Sequence, residues 1–313
     1  MKDNISESIV LKFHDFPTYS LNNFQPAQIR IGGTIVKKTA GICWLAVILI
    51  MFSQPVLADQ NNSVSGPWER FSINLGGFIT DLDSEFRLDS KRSGLGTVID
   101  LENVLDLEET TEVFRVDALC RLGQSRRHRL DFSYFDLSRD ATRKIGREIQ
   151  FGDERFFIGT TVHSFFDLKI YKGAYTYSFF QNEHFDIGAS LGLHVMDIGV
   201  GLSDRRTGTA QSETVTAPVP VVGLRGTFAF TPKLFLKESI EFFWVELDDY
   251  KGKLIDINIA LEYNVWKHLG LGIGYNTVRI DISADGDDLL GGNLLGGVEF
   301  DYSGLQLYGK IYF

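Results

Sequence analysis

Asp186, Ser190 and His194 share one face of the alternating segment FDIGASLGLH, and they are the residue types that serve as acid, nucleophile and base in a hydrolase. In an extended chain each four-residue step covers about 13 Å, at ~3.3 Å per residue. A proton relay needs contact at about 3 Å. Within one strand the three therefore form no relay and read as polar residues of a wet face, while cross-strand partners for His194 or His163 stay open. A second candidate is DISADG, where Asp281, Ser283, Asp285 and Gly286 match the opening of a calcium loop. Its closing position holds Gly292 in place of the bidentate carboxylate, so a solvated acidic outer loop is the favoured reading.

The elements that carry these residues alternate with period two, which places successive side chains on opposite faces of a sheet. Ile255, Ile257, Ile259, Leu261 and Tyr263 oppose Asp256, Asn258, Ala260, Glu262 and Asn264. The same pattern sets Phe114, Val116, Ala118, Cys120 and Leu122 against Arg115, Asp117 and Arg121. Short joints at 123–128, 181–184, 231–233 and 265–269 alternate with polar joints expected to be longer, at 93–110, roughly 140–157, 203–217, 248–253 and 283–293. Short periplasmic turns and longer outer loops are the arrangement of an outer-membrane barrel. Aromatics beside the short turns (Tyr177, Phe179, Phe180 and Phe185; Phe228, Phe230 and Phe235; Tyr263 and Trp266) read as an interfacial girdle.

This asymmetry predicts an all-β fold, a closed antiparallel transmembrane β-barrel of ten strands, with twelve and eight as alternatives. The strands fall at about 70–90, 111–122, 128–146, 158–180, 185–202, 217–230, 234–248, 253–264, 269–283 and 294–313. Parity makes the last segment one long bulged strand. One strand resists the scheme: Glu238 shares the apolar face of Leu236, Ile240, Phe242 and Trp244, and a bulge near Lys237-Glu238 is expected to turn it inward. In the outer joint 96–109, Val98, Leu101 and Leu105 fall at approximately helical spacing, expected as a short surface helix or an irregular loop packed on its own strands, with a plug or cap as the alternative.

The apolar run Ala40 to Phe52 is shorter than the roughly 20 residues that a spanning helix needs. Lys37 and Lys38 before it and Val56-Leu57-Ala58 after it complete a secretory signal peptide over 36–58, with cleavage expected after Ala58 and residues 59–313 forming the barrel. Residues 1–35 read as an untranslated upstream extension: Gly32-Gly33 can be encoded as a ribosome-binding run and Val36 as a GTG start. Without 1–58 the net charge is about −12, which lacks the basic footprint of a nucleic-acid binder. Cys120 is then the lone cysteine, so no disulfide framework exists. The pairs Gly76-Gly77, Gly291-Gly292 and Gly296-Gly297 lack phosphate-loop context and read as bends or bulges; no cofactor is expected.

The ending GLQLYGKIYF sets Leu305, Leu307, Gly309 and Ile311 on one face and closes on Phe313. It resembles the C-terminal strand of bacterial outer-membrane barrels of the OmpA/OmpW-like porin superfold, in which a terminal aromatic implies reading by the barrel-assembly machinery. The runs DLENVLDLEE, RHRLDFSYFDLSRD and GLGIGYN are similar to those of uncharacterised outer-membrane proteins and imply no activity. The resemblance implies a Gram-negative outer-membrane location, with membrane lipid and lipopolysaccharide as partners. Lipid A deacylases and omptin proteases are also outer-membrane barrels, yet no local motif of theirs is present, so no catalytic residue is assigned.

On these faces the lumen should hold Arg115, Arg121, Arg129, Lys172, Arg225, Lys237 and Lys310 with Asp117, Asp131, Asp186, Glu241, Asp256, Glu262 and Glu299. Balanced charges in a narrow tube should pair. The expectation is a braced, largely occluded lumen with a structural or surface-interaction role; the alternatives are a small passive channel for ions or polar solutes and an outer-membrane hydrolase.

Overall fold

A computed structural model describes residues 30–31, 34–35, 67–90, 95–247, 250–284 and 296–313. The chain divides into two units, Met1–Asp59 and Gln60–Phe313. In the first, Arg30–Ile31 pairs with Thr34–Ile35. The rest of the expected leader and the expected signal segment 36–58 lie outside the described residues, as do Asp285, Gly286, Gly291 and Gly292.

The second unit is a closed barrel of ten antiparallel strands. They are β1 (Phe71–Leu88), β2 (Thr110–Leu122), β3 (His128–Lys144), β4 (Thr161–Gln181), β5 (Phe185–Ser203), β6 (Ala210–Thr231), β7 (Leu234–Leu247), β8 (Tyr250–Asn264), β9 (Leu269–Ala284) and β10 (Gly296–Tyr312). Each pairs with the next, and β10 closes on β1 from Gly296 opposite Leu88 to Tyr312 opposite Ser72. Closure satisfies backbone groups that hydrocarbon could not. Gly304 makes the seam possible, because a Cβ there would overlap the Ile79 carbonyl of β1. Gly304→Val should cut the fraction of heat-modifiable, folded barrel on refolding about tenfold, and Gly77→Ala, which meets open space, should leave it unchanged.

Two outer joints are shorter than the sequence predicts. The joint expected at 203–217 is only 204–209, because β6 keeps pairing with β5 up to Ala210 opposite Ser203. In that turn the Asp204 carboxylate accepts from the Arg206 N–H and the Thr207 hydroxyl, each at 2.8 Å. These bonds hold its carboxyl below the usual range. The joint expected at 248–253 shrinks to 248–249, since Leu247 pairs with Tyr250. The strands are tallest at β4 to β6, and the β6–β7 ladder stops at Val222 opposite Phe242. Pro218 and Pro220 lie just beyond and supply no N–H to extend it.

Alternation persists along every strand, but the apolar face changes sides halfway up. In β9, Leu271, Ile273 and Tyr275 face outward while Gly272, Gly274 and Asn276 face inward. Beyond Asn276 the outward positions are Thr277, Arg279 and Asp281, and the inward ones are Val278, Ile280 and Ile282. The inward switch recurs at Ser133/Phe135 in β3, Lys172/Ile170 in β4, His194/Met196 in β5, Glu241/Phe243 in β7 and Asp256/Leu254 in β8. Below this ring the barrel is apolar outside and polar inside, as lipid demands. Above it the barrel is polar outside and apolar inside, as water demands. The outward apolar band covers about nine residues per strand, or roughly 23 Å at ~3.3 Å per residue and ~40° tilt, close to the ~25 Å band of outer-membrane barrels.

Candidate functional site in the lumen

The polar lower lumen is built by inward positions of all ten strands and by the lead-in residues Trp68 and Glu69. Among the described residues, seven cations interleave with seven carboxylates. Arg121 and Asp186 pair at 2.6 Å with both side chains 2% exposed. Glu262 accepts from Lys310 at 2.6 Å, from Lys237 at 2.8 Å and from the Tyr308 hydroxyl at 2.9 Å. Glu69 reaches the same two lysines, at 2.9 Å for Lys237 and 3.1 Å for Lys310. Trp68 seals this end, buried beside Phe235 and donating from Nε1 to the Asn182 carbonyl at 3.0 Å.

From the level of Arg121 upward, Arg129 pairs with Asp131 at 2.8 Å, and Arg225 bridges Asp131 at 3.8 Å to Glu241 at 2.5 Å. His194 Nε2 lies 3.0 Å from Glu241, the cross-strand partner that one-strand spacing could not supply. Lys172 pairs with Asp256, which also accepts from Asn276 at 2.7 Å. Arg115 donates to Asp117 at 3.0 Å and to Asn276 at 2.9 Å. His194, Glu241 and Asp256 bring metal-ligating atoms within 4.8 Å of one another. Glu241 is also paired with Arg225, and Asp256 with Lys172 and Asn276. Between these groups lies a cavity of about 140 Å3, lined by Arg115, Asp131, Lys172, Arg225 and Gln306 among others. The charged side chains among its lining residues give water hydrogen-bond partners.

Thirteen of the fourteen sequence-predicted lumen residues fall in this network. Glu299 is the correction: it is exposed on the outer wall, opposite Glu85 and Asp281. The expected bulge in β10 is absent, so the parity of outward Leu305 and Leu307 carries through to Glu299. Glu69 takes its place in the charge balance, hidden from strand-based reading because it precedes β1. Asp281 and Ser283 lie on the outward face of β9 within its ladders. Phe235, expected in the girdle, points inward and is fully buried, because it shares the parity of Lys237. Ser190 is buried and faces inward, without a hydrogen bond to His194. Phe313 is exposed, and its backbone bonds to Phe71 and Arg70 at the barrel's end.

Above the charges the lumen is filled. Phe166 stacks on Phe300 at 5.6 Å between centroids, and Tyr302 packs against Phe78 at 5.6 Å and Phe135 at 5.5 Å. The outer joints roof this core. The joint after β1 forms a short helix α1 (Leu101–Leu105), capped by Asp100, and buries Leu101, Leu105 and Leu107, so it closes the mouth more than a surface helix would. The hairpin Ile149–Phe151 and Glu154–Phe156 adds Ile149, Phe151 and Phe156. Arg139 pins the roof, pairing with buried Glu102 at 2.5 Å and donating to Ser84 Oγ at 2.9 Å. Arg139→Ala should raise protease cleavage within 95–109 at least about tenfold, which corresponds to ~1.4 kcal/mol of local opening.

No family model and no curated protein sequence matches the chain. Among solved structures, the chain is similar to the outer-membrane protease OmpT of Escherichia coli, with 9% identity, a TM-score of 0.49, and coverage of 81% of this chain and 99% of that one. Ail, the attachment invasion locus protein of Yersinia pestis, gives 12% identity and a TM-score of 0.36, covering 77% and 97%. A Pseudomonas aeruginosa FadL homologue gives 9% and 0.33, covering 80% and 93%. At this level of likeness the barrel assignment rests on the ladders described above.

Proposed function

We propose that the chain is a bacterial outer-membrane barrel with a closed lumen, serving envelope structure or surface contacts. The observation that carries this reading is the apolar core across the upper lumen, where Phe78, Phe135, Phe166, Phe300 and Tyr302 meet above the charge network. A passive channel needs a continuous polar path, and this stretch offers an ion no replacement for its hydration shell. The charged layer beneath acts as a brace: each buried cation has a carboxylate at hand, which offsets part of its desolvation. With both halves of the interior committed to holding the wall together, biological work falls to the outer surface, and contacts with water-borne partners fall to the upper wall and its joints. The refolded barrel in planar bilayers should hold a flat current baseline at neutral pH; steady, ion-selective steps would refute the closed lumen.

A further inference from the structure

Glu238 is an acidic side chain in the middle of the outward apolar band, whereas Glu112 and Asp136 stand at its upper edge, opposite Ile79 and Phe114. On β7 it sits between Leu236 below and Ile240, Phe242 and Trp244 above. The ladders place it level with Ile259, the middle of the five outward apolar positions of β8. It therefore stands near the centre of the band. The inward-turning bulge expected from the sequence is absent: Thr227 to Phe228 on β6 and Ala260 to Ile259 on β8 run in unbroken register against Lys237 and its neighbours. Among the described residues, Glu238 makes no hydrogen bond or ion pair. Beside it on β6 is Gly226, around whose outward side there is open space, so a notch adjoins the carboxyl group.

We infer that this face, centred on Glu238 and Gly226, is where a second copy of the chain docks in the membrane; the inference rests on the membrane placement of the lower barrel. In its neutral form a carboxyl group carries one O–H donor and one carbonyl acceptor. Hydrocarbon satisfies neither. A two-fold axis beside Glu238 brings up the partner's carboxyl, whose acceptor and donor match it, so each O–H donates to the opposite carbonyl oxygen. The matched group on the outward band of this protein is another Glu238, which is why the occupant is a second copy and the symmetry two-fold. The glycine notch lets the two walls approach closely, as small residues do between membrane-embedded elements. Flanking Val222, Leu224, Ile240 and Ile255 are exposed and apolar and would pack around the acid pair.

The test reconstitutes the full mature barrel in phospholipid vesicles and reads self-association by energy transfer between donor- and acceptor-labelled copies as protein is diluted into lipid. Wild type should dimerise. Glu238→Leu and Gly226→Leu should each weaken association at least about tenfold while keeping the heat-modifiable folded form, and Glu238→Gln, whose amide also pairs with itself, should retain it. Cysteine crosslinking gives a second reading: Ile240→Cys in a Cys120→Ser background should couple copy to copy. Native Cys120, which lies on β2 on the far side of the barrel, should not. A monomeric wild type, a Glu238→Leu barrel that still dimerises, loss of dimer in Glu238→Gln, or coupling through Cys120 in place of position 240 would each overturn the inference.

Discussion

Asp186→Ala should destabilise the folded barrel by about 3–5 kcal/mol, because it removes the one carboxylate in ion-pair contact with the buried Arg121 guanidinium among the described residues. Both partners are 2% exposed, and their 2.6 Å contact sits in the polar lower lumen where solvent cannot take over. The measurement is urea unfolding of the refolded barrel in phospholipid vesicles, followed by the tryptophan emission of Trp68, Trp244 and Trp266. Replacing the pair by apolar residues of similar bulk, Arg121→Met with Asp186→Leu, should recover most of the loss, since a buried pair contributes little beyond what its own desolvation costs. Glu262→Ala should be comparably severe, as that carboxylate serves both Lys237 and Lys310. If the Asp186→Ala variant were no less stable than the double replacement, the lower lumen would be open to water rather than braced.

Phe300→Ala should also cost about 3–5 kcal/mol, the range for removing a fully buried aromatic. Phe300 is 2% exposed and touches Phe166 and Tyr302. This substitution separates two pictures of the barrel. In a tube wet from end to end, position 300 would line water and alanine would be nearly neutral. In the molecule described here it removes a ring from a packed core and leaves a cavity. The control is Glu299→Ala, one residue away and exposed on the outer wall, which should change stability little or even raise it by easing the like-charge row with Glu85 and Asp281.

The barrel and most of its lumen charges were legible because period-two alternation survives in short segments of sequence. Ile255 to Tyr263 and Phe114 to Leu122 declare their faces without help from neighbours, and the tight turns fix strand number. The change of face halfway up was harder to see. It is written in β9, where Val278, Ile280 and Ile282 follow Gly272, Gly274 and Asn276 at the same parity, but the swap of an apolar face for a polar one looks the same as a bulge until the ladders are known. That ambiguity misplaced Glu299. The plug residues Trp68 and Glu69 and the Arg139–Glu102 pin escaped for a different reason: each depends on contacts between segments far apart in the chain, and no local period encodes them. His194 with Glu241 belongs to the same class, 47 residues apart and joined only by the curvature of β5 to β7.

The change of faces can be read directly by placing single cysteines along β9 in a Cys120→Ser barrel inserted in lipid vesicles. Labelling with a membrane-impermeant maleimide should be fast at 279, 281 and 283, and slow at 278, 280 and 282. A nitroxide attached at 271, 273 or 275 should instead report collisions with oxygen in the lipid. Rapid aqueous labelling at 278, 280 and 282 together with lipid contact at 279 and 281 would mean that the wet lumen runs the full height of the barrel, and would contradict the account.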